Sequence, residues 1–252
     1  MECKTGDEFG FQVAAVDGRI ASVHAAKTLW LWVDPVNRPG PEAMAVDEWL
    51  LENAPGPVLR VYGWSGGWGS LGYFGRMALA QSAFEGLQWV RRWTGGGIVD
   101  HRRDWTYTVV APAGTWLAGL RGAESYRVIH HALARVLAGE GLEVCLSDGS
   151  AVTGAASCFA NPVGHDLVGA GGRKLAGAGQ RRGRRGLLHQ GSLALPHVDP
   201  SMSRLRAECL AAHLADETGS PDWCHCQPEV PGDWISDTVR KRYGNPDWTL
   251  RR

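Results

Sequence analysis

Lysine is scarce. Against 22 arginines the chain carries 4 lysines, and Lys174 is the only one between Lys27 and Lys241. Basic positions are therefore arginine by default, and any task that needs a compact ammonium falls on very few residues. Net charge is absent too: 26 Lys+Arg meet 26 Asp+Glu. A global polyanion-binding role is not expected, although a local basic patch is compatible with the balance. No apolar run reaches the length needed to cross a bilayer, and the N-terminus MECKTGDEFG is polar and acidic rather than a secretory signal. The six cysteines (3, 145, 158, 209, 224 and 226) show no disulfide-framework spacing in a chain of 252 residues. These absences predict a soluble, reduced, cytoplasmic protein without membrane or nucleic-acid partners. Nucleotide signatures are missing as well. GAGGRK lacks the spacing of a phosphate-binding loop and the Ser/Thr after Lys, and no G-x-G-x-x-G opens a helix after a strand. There is no internal repeat.

What is present supports a core. Hydrophobic residues make up 44% of the chain, which suits one large domain, with residues 1–27 as an N-terminal extension or peripheral strand pair. Strand patterns occur at TLWLWVDP (28–35), PVLRVYGW (57–64), SLGYF (70–74), LQWVRRW (87–93), DWTYTVVAP (104–112) and LEVCLS (142–147). Residues 41–54 read as a helix opened by Pro41, and 124–141 as the clearest helix, with Tyr126, Ile129, Leu133 and Leu137 in helical spacing. HDLV, GRKLAGAGQ and GLLHQGSLAL then read as a three-stranded meander, followed by helices over 201–215 and 231–244. Strands outnumber helices and hairpin-like turns dominate. The expected class is α+β, with a largely antiparallel sheet flanked by helices.

Three motifs are decoys on context. GWSGG (63–67) satisfies G-x-S-x-G, but a nucleophile elbow needs a helix after it, and WGSLGYF reads as strand. Cys209, His213, Cys224 and Cys226 could form a metal set, yet the Cys-His-Cys run lacks the usual two-residue gap. Ordinary thiols near a helix hairpin are the blander account. RRGRR (181–185) could meet phosphates or an acidic protein surface, and more commonly such a run is a solvated hairpin tip.

Two segments carry more. RRWTGGGIVDH (91–101) places Gly95, Gly96 and Gly97 between two arginines and His101, and three bare residues allow a ligand to approach the backbone closely. SCFANPVGHDLVGAGGRKLAGAGQRR (157–182) holds Cys158 one predicted strand and loop before Lys174. A cysteine beside an ammonium has more thiolate character, which acyl transfer needs, though taken alone an inert buried cysteine is the commoner case.

Together these segments resemble the biotin/lipoate protein ligase A/B family of cofactor transferases. RRWTGGGIVDH is similar to the family's RR-x-[ST]-GG-x-x-x-x-H signature. DLVGAGGRKLAGAGQRRGRRGLLHQGSLAL is similar to its D-[IL]-x-x-x-G-x-K-[IV]-x-G-x-A-Q-x-R…LHHGS signature. PVLRVYGWSGGWGSLGYFGR, MAVDEWLL and the terminal YGNPDWTLRR resemble its opening strand pair, first helix and ending, so the likeness runs over 28–252. The chain departs from the family at Arg102, where Asp is common, and at Ala178-Gly179-Gln180, where Ser-Ala-Gln is common.

The resemblance implies a biotin/lipoate ligase-like catalytic domain over 28–252 and a chemistry. SCF (157–159) resembles the cysteine-dependent octanoyltransferase branch, and the absence of an accessory C-terminal domain points the same way. In that branch Cys158 would take an octanoyl group from acyl carrier protein as a thioester. A lysine of a lipoyl domain, from a 2-oxoacid dehydrogenase or the glycine cleavage H protein, would then attack it. Lys174 would stabilise the thiolate and the developing oxyanion. Gly95, Gly96 and Gly97 would wall the acyl pocket, where about six methylenes at about 0.8 kcal/mol each give up to about 5 kcal/mol of chain-length selection. Arg91, Arg92, His101, Gly177, Gln180 and His189 would complete the substrate-binding set, His101 orienting groups or assisting proton transfer and the arginines bracing the loop or meeting an acidic carrier. No cofactor is needed in this reading. An ATP-dependent lipoate ligase, using ATP and Mg2+ to form an acyl-adenylate, and a non-catalytic acyl-carrier binder are the alternatives.

Overall fold

In a computed structural model, residues 4–5, 11–14, 28–121, 123–149, 158–195, 199, 201–219 and 222–251 are described. In chain order the strands are β1 (Lys4–Thr5), β2 (Phe11–Ala14), β3 (Leu29–Val33), β4 (Val58–Tyr62), β5 (Trp68–Leu71), β6 (Gln88–Arg91), β7 (Ile98–Asp100), β8 (Trp105–Pro112), β9 (Val144–Leu146), β10 (Leu167–Gly169), β11 (Lys174–Gly183), β12 (Gly186–Leu193) and β13 (Trp223–Pro228). The helices are α1 (Gly40–Asn53), α2 (Met77–Ala83), α3 (Trp116–Gly119), α4 (Glu124–Gly139), α5 (Met202–Thr218), α6 (Gly232–Thr238) and α7 (Pro246–Thr249). The fold is α+β, as the patterning predicts.

Ten strands form one sheet in the order β1-β2-β13-β3-β4-β8-β12-β11-β10-β9. Only β13–β3 and β3–β4 pair in parallel within it. Its centre is the run β4–β8–β12–β11, where eight-residue β8 and β12 pair along their whole length. One face of this sheet packs on α4 and α5 through Leu59, Val109, Ile129, Leu133, Leu210 and Leu214. The other face packs on α1 through Trp30, Val46, Trp49, Leu50 and Val110. Pro41 sits in the first turn of helix α1, where its ring presets the backbone and its missing N–H needs no partner.

The structure corrects several boundaries. The strand expected at 70–74 is Trp68–Leu71, and it does not continue the main sheet. With β6 and β7 it builds a separate three-stranded sheet, β6-β5-β7. Strand β7, read as loop in the sequence, pairs with β5 directly after the glycine triplet. Strand β13 replaces the expected surroundings of a helix hairpin at 223–228. The helix expected over 231–244 changes winding, α-helical to Thr238 and π-helical over Val239–Tyr243. The residues of GWSGG run into β5 rather than a helix, so no nucleophile elbow forms. RRGRR is the tip of the β11–β12 hairpin, closed at Gly183 opposite Gly186.

Candidate active site

Strand β11 supplies the charge. Lys174 is buried, and its Nζ lies 2.6 Å from Asp166 Oδ2. Asp166 is itself fully buried; it accepts from Tyr126 Oη at 2.5 Å and from the Val163 amide at 2.7 Å. A buried carboxylate is stable only when its lone pairs are filled this way. Burial, with Asp166 beside it, pushes the Tyr126 phenol well up, so it stays a donor. Gly177, three residues on, leaves room for the ammonium. A Cβ there would stand 2.5 Å from Lys174 Nζ. Gly177 also lines the slot described below, so the ammonium takes the place that a side chain would hold on its wall.

The three glycines form a loop that packs against β11 at Gly179, and Gly179, not the loop, lines the slot. Gly96 has φ +95°, a conformation that side chains resist. Gly179 of β11 faces this loop so closely that a Cβ would run into the Gly95 carbonyl and lie 2.9 Å from Thr94 Oγ1. Two hydrogen-bonded chains hold the loop in place. In the first, Arg92 donates to the carbonyls of Gly95 (3.0 Å) and Gly97 (3.1 Å) and to Ser70 Oγ (2.6 Å). Ser70 Oγ meets His101 Nε2 at 2.6 Å, and His101 Nδ1 donates to Asp104 Oδ2 at 2.7 Å. Trp64 stacks on the His101 ring at 4.0 Å. In the second, Thr94 Oγ1 donates to Gln190 Oε1 at 2.7 Å, and Gln190 Nε2 donates to Asp47 Oδ2 at 2.7 Å. Asp47 is paired with the fully buried Arg60, which also binds Asp34.

Arg91 faces elsewhere. It is fully buried, and its donors reach the carbonyls of Gly72, Tyr73, Gly75, Trp248, Thr249 and Arg251. It joins the C-terminal segment to the turn after β5 and does not touch the glycine loop, which Arg92 holds. Gln180 and His189 sit side by side across β11–β12, with Gln180 Nε2 donating to His189 Nδ1 at 3.0 Å. They line the α4 side with His130 and Tyr126. Burial keeps both His130 and His189 neutral: the His130 imidazole is lowered to about 4 and His189 well below its usual range.

The side chain of Cys158 lies outside the described residues. Its backbone opens a 3-10 turn, Cys158–Ala160, packed against β11 and β7. The neighbouring Phe159 ring centre is 6.0 Å from Lys174 Nζ. Beside them runs a slot of about 20 Å³, lined by Met44, Trp64, Val99, His101, Gly179 and Gly191 among others, with Lys174 and the glycine triplet behind its lining. That volume admits about one water. A larger groove of about 560 Å³ lies between α4 and α5 and does not include Lys174, Arg92, His101 or the glycine triplet.

The candidate metal set does not assemble. Cys224 and Cys226 pack on the α1 side of the sheet, whereas Cys209 packs on the α4–α5 side. Among the described residues no group of three His, Cys, Asp or Glu could hold a metal ion. Sequence reasoning also missed Asp166, Ser70, Asp104 and Tyr126. Asp166 had a signal, since it opens the lysine signature, but its role needs the fold.

The architecture is the lipoate–protein ligase catalytic fold. Lipoate–protein ligase A bound with ATP superposes with a TM-score of 0.64 at 18% identity, over 88% of this chain and 98% of that one. A chain of the bipartite lipoate protein ligase and E2 lipoyl domain system from Thermoplasma acidophilum gives 0.61 at 16% identity, over 91% and 98%. The chain belongs to the family described as the lipoyl protein ligase A/B catalytic domain, whose model matches residues 39–207. Its relatives include octanoyltransferase LipM of Symbiobacterium thermophilum, 34% identical over 71% of this chain and 70% of that protein. LipM of Kyrpidia tusciae is 38% identical over 82% and 73%, and LipM of Bacillus subtilis 31% identical over 67% and 66%. These relatives support an octanoyltransferase-like enzyme.

Proposed function

We propose that this chain moves an octanoyl group from acyl carrier protein to a lysine of a lipoyl domain through a thioester on Cys158. The observation that carries the reading is the Lys174 ammonium, buried on Asp166 at 2.6 Å against Gly177, with Phe159 next to it in the turn that Cys158 opens. A fixed cation in a dry site stabilises a thiolate and then the oxyanion of a tetrahedral intermediate.

The Cys158 thiolate attacks the donor thioester carbonyl, and the C–S bond to the carrier breaks. The carrier sulfur leaves as a thiolate and takes a proton. The ε-amine of the acceptor lysine then attacks the Cys158 thioester, the second C–S bond breaks, and the amine loses its surplus proton as the amide forms. A thioester is higher in free energy than an amide, so the transfer needs no nucleotide. The slot is narrow, and acyl entry would part Gly179, which lines it, from the loop of residues 95–97. Backbone without side chains moves there with little repacking. The relatives named octanoyltransferase and the ligase neighbour characterised with its E2 lipoyl domain support both the acyl group and the acceptor class.

Purified protein incubated with octanoyl-carrier protein and an apo-lipoyl domain, without ATP, tests the reading. Amide product that disappears in Cys158→Ser, together with an octanoyl adduct in the intact mass, supports it. Product that appears only with ATP, Mg2+ and free lipoate would sink it in favour of the ligase. Carrier binding without product under either condition would favour the idle binder.

A further inference from the structure

Beside the glycine loop, three arginines and three aromatic rings alternate in a closed circle. Arg251 lies over Tyr73 at 3.7 Å and over Trp248 at 4.0 Å. Arg242 lies over Trp248 at 5.2 Å and over Trp93 at 4.7 Å. Arg181 closes the circle, 4.3 Å from the Trp93 ring and 5.5 Å from Tyr73. The circle joins four distant parts of the chain: the turn after β5, the residue after Arg92, the β11 strand and the C-terminal segment.

We propose that this circle is the docking surface for the acidic carrier protein that delivers the acyl chain. The inference rests on the transferase reading above. Four observations carry it. First, the circle is continuous with the glycine loop: Trp93 directly precedes Thr94, the Tyr73 amide donates to the Thr94 carbonyl at 2.8 Å, and Arg181 follows Gln180, whose carbonyl accepts from the Gly95 amide at 3.4 Å. Second, its charge is unbalanced. Arg242 meets Glu48, but among the described residues no carboxylate pairs with Arg181 or Arg251. In a chain of net charge zero, that is a local excess of positive charge at one rim. Third, the exposed β11–β12 tip adds Arg184, which has no carboxylate partner among the described residues. Fourth, Phe74, next to Tyr73, is 84% exposed, an apolar anchor inside a charged rim, which is how protein interfaces are built.

A guanidinium stacked flat on a ring keeps its N–H edges free to fork onto carboxylates, and stacking holds it in place before the partner arrives. Such a surface fits an acidic protein. The donor is favoured over the acceptor because its acyl group rides on a flexible arm. An arm lets the body dock to one side of the slot while the thioester reaches in. An acceptor lysine is a single side chain and must dock over the slot itself.

The test compares one chemistry with two donors. Arg181→Glu and Arg251→Glu are assayed with octanoyl-carrier protein and with octanoyl-pantetheine, which has the thioester but no protein surface. The expected result is a rise of about tenfold or more in KM for the carrier, a weaker salt dependence, little change in kcat, and unchanged transfer from octanoyl-pantetheine. Arg181→Lys keeps the charge without the stacked plane and should recover part of the loss. Equal losses with both donors, at unchanged melting temperature, would make the circle structural and overturn the proposal. A KM effect confined to the lipoyl-domain acceptor would overturn the choice of partner. If the wild type transfers from neither donor, the catalytic reading fails. Docking is then tested by surface plasmon resonance with the unacylated carrier at low salt: binding lost on charge reversal upholds it, and binding unchanged overturns it.

Discussion

The two sides of the site, β11 and the glycine loop, are built by opposite means. The β11 wall carries a full charge, fixed by a buried partner: Lys174 on Asp166, with Tyr126 behind. The glycine wall carries no side chains at all. Its position is set at second hand, by Arg92 through Ser70, His101 and Asp104, and by Thr94 through Gln190 and Asp47. A charge in a dry site must be held rigidly, because misplacing it loses electrostatic stabilisation and leaves its partner uncompensated. A wall that must part for an acyl chain is better held by several modest hydrogen bonds, each worth about 0.5–1.5 kcal/mol.

That contrast orders the expected damage. Lys174→Ala leaves Asp166 buried and unpaired. It should cost about 3–5 kcal/mol of stability and about a hundredfold or more in single-turnover octanoyl transfer. Lys174→Arg tests whether charge alone suffices. The fork does not fit against the Gly177 backbone, so transfer should stay low while part of the stability returns. Full activity in Lys174→Arg would remove the geometric half of the argument. Gly177→Ala keeps both charges and moves the ammonium instead, since the new Cβ would lie 2.5 Å from Nζ. A loss of about tenfold to a hundredfold in kcat is expected, with about 1–3 kcal/mol in denaturant unfolding.

The glycine wall should respond more gently and in a different parameter. Asp104→Asn removes the charged acceptor of His101 Nδ1 and loosens the chain to Arg92. A loss of about 1–2 kcal/mol should appear mainly as a higher KM for the acyl donor, with kcat nearly kept, because a looser loop binds the acyl chain less well before the chemistry begins. A pure kcat defect would instead place His101 in proton transfer and blur the distinction between the walls.

How far the sequence reveals this arrangement depends on the kind of contact. The α4 helix and the β10–β12 meander are legible because their periodicity and turns are local. Strand β7 is not, because three residues after a glycine triplet carry no pattern and exist as strand only by pairing with β5. Strand β13 hides for another reason. WCHCQP lacks β-branched residues, and its cysteines suggest metal before they suggest a sheet; the parallel neighbour β3 makes it a strand. In the site, Lys174 and the glycines stand out by composition. Ser70 and His101 are 31 residues apart, Tyr126 and Asp166 are 40 apart, and Thr94 and Gln190 are 96 apart. Such partners are common residue types that only the fold brings together.

The smallest effect concerns the α4 side of the β11 wall. His130 and His189 are buried and neutral, His130 lowered from 6.5 to about 4 by burial. Nδ1 of His130 donates to the His165 carbonyl at 2.7 Å, and Nε2 has no partner among the described residues. Because the folded value lies below the unfolded one, the unfolded chain takes up more protons as the pH falls below 6.5. The stability held by neutral imidazole is therefore complete above pH 6.5 and declines toward pH 4, by up to about 1.4 kcal/mol per pH unit for each histidine. Unfolding midpoints measured from pH 7.5 to 4.5 should fall along that slope, and His130→Gln should flatten it by about half. A flat profile in the wild type would mean that these imidazoles are not buried neutral, and the wall behind Lys174 would then be as soft as the glycine wall opposite.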